Sequence, residues 1–253
     1  MTVSPTSATY GSTTNTFTFT FTANIGDFGS GSAVVLTIPA GWTPATTAVG
    51  AGHITVASGT ATLNGSPPYA VTSSNITIDI TSCLAGQSFT VTYSGVTAPT
   101  PASSPYAFTT QTDIGSGGQG LVNTTAPFPA VTVTPSTLTV SAAGLTPNDK
   151  PYDGTNTTTL FTGTPTLVGK ISPDDVTLGT GSATGSFADK NIGTNKTVSI
   201  AGLTLGGANA ANYVLTQPTR TANITKRPIT VTAATDTKPY DGTTNSVGVP
   251  TIT

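Results

Sequence analysis

Residues 15–24 read NTFTFTFTAN. Thr16, Thr18, Thr20 and Thr22 alternate with Phe17, Phe19 and Phe21. Successive side chains of a β-strand point to opposite faces. One face of this segment is therefore all aromatic and must be buried, and the other is all threonine. We read the threonine face as solvated, with contact to a protein or a glycan as the functional alternative. Ice binding would need several stacked threonine rows on a flat solenoid, and the sequence has no short repeat of that kind.

The same period recurs along the chain. VVLTI (34–38) sets Val34, Leu36 and Ile38 on one face, and ITIDIT (76–81) does so with Ile76, Ile78 and Ile80. FTVTY (89–93) aligns Phe89, Val91 and Tyr93, and VTVTP (131–135) closes the run. Between them lie the turn-forming clusters GDFGSGS (26–32), PAGWTPA (39–45), NGSPPY (64–69), PTPASSP (99–105) and GSGGQG (115–120). Short alternating strands separated by such clusters predict a β-sandwich. Trp42 is read as a cap over the end of that sandwich.

Composition agrees. The 253 residues include 58 threonines, 28 glycines and 19 prolines, with no glutamate. Charged residues make up 7%, against the roughly 25% of an average domain. Helix formers are scarce and β-branched residues abound, so the expected class is all-β. Disorder goes with low hydrophobicity and high net charge; here the hydrophobic share is 36% and the net charge −2. The length predicts more than one domain. A stretch of ~135 residues buries roughly two thirds of its unfolded surface, enough for a core without disulfides.

Charge separates the chain into two parts. Residues 1–135 hold no Lys or Arg and three acids, Asp27, Asp79 and Asp113; residues 136–253 hold all eight bases and seven acids. No basic patch with interleaved aromatics occurs, so nucleic acid is not an expected partner. No apolar run is long enough to span a membrane, so no membrane insertion is expected. The single cysteine, Cys83, forms no internal disulfide and is read as a small buried apolar residue. The start, MTVSPTS, lacks a basic-then-apolar signal region; we read Met1 as a start added to an excised fragment.

The second part contains an internal repeat. Residues 138–155 read LTVSAAGLTPNDKPYDGT and residues 229–243 read ITVTAATDTKPYDGT. The hexapeptide KPYDGT begins at Lys150 and again at Lys238, 88 residues on. The predicted domains are an N-terminal β-sandwich (1–135), one full repeat (136–227) and the truncated start of a second (228–253). KPYDGT, GSFADKNIGTNKTVSIAGLTL (185–205) and GANAANYVLTQPTRTANIT (207–225) resemble the YDG repeat of large bacterial surface proteins, among them filamentous-haemagglutinin-like adhesins and related immunoglobulin-like repeat proteins. The resemblance covers under half of the chain. It implies a β-sandwich repeat, secretion, tandem use in a stalk or adhesin, and no enzymatic activity. With it, the expected fold is a set of tandem immunoglobulin-like β-sandwiches in an elongated arrangement.

The motif residues Lys150, Pro151, Tyr152, Asp153 and Gly154, and their second copy Lys238, Pro239, Tyr240, Asp241 and Gly242, are assigned structural roles. Pro151 biases Lys150 to an extended backbone. Tyr152 is expected to bury its ring with the hydroxyl near the surface. Asp153-Gly154 forms a turn whose carboxylate accepts local N–H bonds. Lys150 is expected to pair with Asp153 or Asp189. Gly193 is placed in a tight turn, and Asn212 at the end of a loop that admits the last strand.

Catalytic chemistry is not expected. His53 is the only histidine, and zinc sites need several Cys or His ligands. Asp174-Asp175 are adjacent in a turn and not the separated pair a glycosidase uses. For calcium the candidates are Asp149, Asp153, Asp174, Asp175 and Asp189 near turns, without EF-hand spacing; no metal or cofactor is assigned. Lys150, Lys170, Lys190 and Lys196 are the candidates for an internal lysine crosslink. The function expected is that of a secreted, bacterial cell-surface segment, a rigid structural or adhesive spacer. Its partner is an unidentified host, glycan or surface-protein ligand. Two alternatives are that residues 1–135 bind a glycan or protein, and that monomers assemble into a surface fibre by strand exchange.

Overall fold

The computed structural model describes residues 1–24, 28–115, 120–124, 126–245 and 247–253. Asp27 and parts of the turns expected at 26–32 and 115–120 lie outside them. Among the described residues the chain is all-β, with a single short helical turn at Ala210–Asn212. It packs as two units. The first comprises Met1–Leu138, Gly169–Thr177 and Leu205–Thr216; the second comprises Thr139–Val168, Leu178–Thr204 and Gln217–Thr253.

In the first unit the phenylalanine strand is Asn15–Thr22. It lies between Thr2–Ser4 and Ser88–Val96, with His53–Ala57 beyond, in a four-stranded sheet. The antiparallel register sets Phe19 opposite Val3 and Val91, and Phe17 opposite Tyr93. Phe17, Phe19 and Phe21 are all buried, as are Phe89, Val91 and Tyr93. The threonine side is less open than alternation predicts. Thr16 and Thr22 are exposed, but Thr18 and Thr20 are half-buried. Neighbours on both sides cause this: Ser4 and Thr92 flank Thr18, and Thr2 and Thr90 flank Thr20.

A six-stranded sheet centres on Ser32–Thr37 and Asn75–Ser82. Val34, Leu36, Ile76, Ile78 and Ile80 are fully buried, as their period predicts. Val35, on the opposite face, is buried too. Its strand is central, and Thr77 and Gln111 stand directly opposite Val35 on the two flanking strands. A third sheet, of three strands, places Ala130–Thr134 between Ser104–Ala107 and Ser7–Thr9. Trp42 is buried and packs edge-on against Phe17 and Tyr106. Cys83 is fully buried, as expected of a small apolar residue.

The second unit is built on a five-stranded sheet in the order Lys150–Pro151, Thr219–Thr225, Gly193–Ala201, Thr184–Phe187, Thr157–Thr158. Phe187, Val198, Ala222 and Ile224 form its core. Gly193 does not sit in a turn. It begins a strand at an irregular register, and Asn195 nearby takes the left-handed conformation at φ 51°. Asparagine tolerates that region better than most residues, so NIGTN bends at its asparagine.

Candidate functional site

The KPYDGT turn is closed by its own side chains. Gly154 adopts φ +83°, which a residue without Cβ does at no steric cost. The turn brings Lys150 over Asp153. The Lys150 Nζ donates to Asp153 Oδ1 at 2.7 Å, to Thr155 Oγ1 and the Thr157 carbonyl at 2.8 Å, and to the Thr155 carbonyl at 3.0 Å. An ammonium has three protons, so all are engaged and one is shared. Asp153 Oδ1 also accepts from the Thr155 N–H and Oγ1. The hydrogen bond from Lys150, then those from Thr155, hold the Asp153 carboxyl far below the usual carboxylate range. The Lys150 side chain is only 12% exposed.

The second copy repeats the geometry. Lys238 Nζ lies 2.9 Å from Asp241 Oδ1 and donates to Thr243 Oγ1 at 2.6 Å, while the Thr243 N–H donates to Asp241 Oδ1. Gly242 is at φ +72°. Burial differs. Tyr152 is 38% exposed and Tyr240 99%. The ring of Tyr152 is thus less covered than expected, because its backbone, not its ring, makes the attachment: the Tyr152 N–H donates to the Thr225 carbonyl at 2.9 Å. Lys150–Pro151 runs parallel to the end of Thr219–Thr225. The turn is therefore a local device, and its tie to the last strand is made by the sheet.

The five candidate aspartates do not converge. Asp153 is held by its lysine, and Asp189 accepts from Lys196 Nζ and the Asn191 N–H. Asp149 receives the Asn223 N–H at 2.7 Å and the Asn223 Nδ2 at 2.8 Å. Asp175 Oδ2 accepts from the Ala208 N–H, and the Asp175 N–H donates to Asn209 Oδ1. Among the described residues no three His, Cys, Asp or Glu side chains gather into a group that could hold a metal ion. Of the four lysines named for a crosslink, Lys150 and Lys196 meet aspartate partners, Asp153 and Asp189.

Asp174 has a role that no local pattern signals. In the first unit its Oδ2 accepts from Tyr10 OH at 2.9 Å and from Tyr213 OH at 2.6 Å. The two rings meet edge to face, 5.5 Å apart. Tyr213 OH also accepts the Ile171 N–H. Burial first, then the Asp174 hydrogen bond, pushes the Tyr10 phenol up to about 12. The chain passes close by at Gly11, where a Cβ would lie 2.0 Å from Ile171 Cδ1. Asn212, buried at the end of the helical turn, accepts the Ala102 N–H at 2.9 Å. The residues of NAANY are thus occupied by packing: Asn209 on Asp175, Asn212 on Ala102, Tyr213 on Asp174.

The first unit also carries a cavity of about 400 Å³. The buried rings of Phe21 and Phe28, 5.5 Å apart, line it together with Thr22, Asn24, Thr112 and Asn123. Residue alternation gave no hint of it. Among the described residues, no helix is long and apolar enough to cross a membrane.

Comparison with curated proteins and with solved structures returns no match. Comparison with family models does: residues 134–222 match the model of the YDG domain.

Proposed function

We propose that this chain is an extracellular structural segment of a bacterial surface protein, a spacer of tandem immunoglobulin-like sandwiches that holds an adhesive region away from the cell. The observation that carries the reading is the use of the YDG motif. Lys150, Asp153 and Thr155 bond to one another, Asp149 and the Tyr152 N–H bond to the last strand of the domain, and the motif recurs 88 residues on with the same internal bonds. Side chains used in this way build a repeat and leave substrate chemistry to other parts of a protein. The compositional richness in threonine, glycine and proline supports an extracellular setting. Surface labelling tests the location. An antibody raised against residues 1–253 should stain intact producing cells. Staining that requires lysis would contradict the reading.

A second reading rests on the cavity of the first unit. Its volume falls in the range of roughly 300–1,000 Å³ typical of ligand pockets, and the hydroxyls and amides of Thr22, Asn24, Thr112 and Asn123 around it suit a neutral, hydroxyl-bearing ligand such as a saccharide. On this reading residues 1–135 are the binding module. Asn123→Ala and Thr112→Val should then abolish retention on a neutral-glycan array while leaving the melting temperature in place. Retention unchanged by both substitutions would remove it.

A further inference from the structure

Among the described residues, parallel pairing ties early strands to late ones at three places. In the first unit Ser7–Thr9 runs parallel to Ala130–Thr134, with Ser7 opposite Thr132, Ala8 opposite Val133 and Thr9 opposite Thr134. The Tyr10 N–H donates to the Thr134 carbonyl at 2.8 Å, the Thr132 N–H to the Thr6 carbonyl at 2.9 Å, and Thr134 Oγ1 to the Ala8 carbonyl at 3.2 Å. At the start of the YDG domain Ser136–Leu138 runs parallel to Tyr213–Leu215, and the Thr216 N–H donates to the Leu138 carbonyl. At its end Lys150–Pro151 runs parallel to Ile224–Thr225, reinforced by the two bonds from Asn223 to Asp149.

The direction of pairing decides how tension is borne. Consider a chain pulled at both ends, with its first and last strands side by side. In an antiparallel pair the two pulled ends lie at the same end of the ladder, and its hydrogen bonds open one after another. In a parallel pair the pulled ends lie at opposite ends. The strands must then slide past each other, and every bond in the pair is loaded at once. Parallel pairing of strands in one sheet requires a long connection. Here that connection is nearly the whole domain, running from Thr9 to Ala130 in the first unit.

We propose that these parallel pairs are shear clamps, which make the chain a load-bearing element under tension along its length. The use of such clamps in a cell-attached spacer rests on the function proposed above; the clamps themselves follow from strand direction alone. The short strand Thr2–Ser4, paired antiparallel with Asn15–Thr22, yields before the Ser7–Thr9 pair does. The YDG motif gains a mechanical role: Asp149, Lys150 and the Tyr152 N–H grip the strand by which the chain leaves the domain.

Single-molecule force spectroscopy on the full chain tests this by comparing two pulling geometries. In one, handles sit at the chain ends. In the other, they are attached through Thr13→Cys and Thr137→Cys, which load the Ser7–Thr9 pair from one end. Cys83 is fully buried and does not compete for the handles. At equal loading rate the first unit should unfold at about twice the force or more when pulled from its ends, since several bonds break together instead of singly. Thr132→Pro, which deletes the N–H donated to Thr6, should lower the end-to-end force and leave the internal geometry unchanged. Equal forces in the two geometries would overturn the clamp. The comparison is independent of the spacer reading, which fails or stands on adhesion experiments with cells.

Discussion

Phe19→Ala is the sharpest test of the reading that begins at residue 15. Phe19 is fully buried, faces Val3 and Val91 across the sheet, and lies 4.7 Å from the ring of Phe108. Truncating a phenylalanine in such a site removes its transfer energy and leaves a cavity, which costs about 3–5 kcal/mol. Thr18 differs by one position and points to the other face. Its neighbours are Ser4 and Thr92, so Thr18→Ala should cost under about 1 kcal/mol. With a urea slope of about 2 kcal/mol/M, Phe19→Ala should lower the unfolding midpoint of the first unit by about 2 M. Thr18→Ala should lower it by less than about 0.5 M on the same slope. Equilibrium urea melts followed by tyrosine and tryptophan fluorescence give both numbers. Equal shifts would refute the assignment of faces, and with it the argument from alternation.

Other outcomes follow from the same structure. The Asp153 carboxyl is depressed by Lys150, so the stability it contributes is full above the unfolded value of about 3.9 and is lost only as pH falls through the lower folded value. Carboxyl-carbon NMR should show Lys150→Met raising the Asp153 midpoint part of the way toward the ordinary range, since the bonds from the Thr155 N–H and Oγ1 remain; an unmoved midpoint would contradict the turn geometry. The Tyr10 phenol is raised to about 12, so its contribution is full below the unfolded value of about 10 and is lost as pH rises through about 12. Ultraviolet titration of Tyr10→Phe should lack one late-titrating phenol. Asp174→Ala should speed hydrogen exchange in 169–177 and 205–216, and unchanged protection there would deny the carboxylate its bridging role. Ile229, Val231, Val249 and Ile252 are exposed near the C-terminal end; if they drive fibre formation, light scattering should show assembly that deletion of 228–253 abolishes, whereas a monomer at high concentration would eliminate strand exchange.

The strands were legible because their signal is local. Phe17, Phe19, Phe21, Ile76, Ile78 and Ile80 need only a period of two to declare an inward face. Lys150 and Asp153 were legible for the same reason, being three residues apart around a glycine. Val35 was not, since its burial comes from the position of its strand inside the sheet. The Asp174 bridge was not either: its partners lie 164 and 39 residues away, and nothing in ISPDDVTL separates a turn aspartate from one that receives two phenols. The pairing of Asp149 with Asn223 spans 74 residues and was equally hidden. Sequence pattern reports which way a side chain points, while the identity of a distant partner depends on how the strands are ordered in the sheet.

The central claim is that this chain serves by its structure and carries no indispensable binding surface. On the surface-spacer role proposed above, the direct measurement replaces residues 1–253 with unrelated β-sandwiches of matched length, and counts cells of the producing organism adhering to host cells or to a matrix. The account predicts that adhesion is lost on deletion and restored by the replacement. Adhesion that stays lost with the replacement would contradict it, and would move the function to a surface of this chain itself.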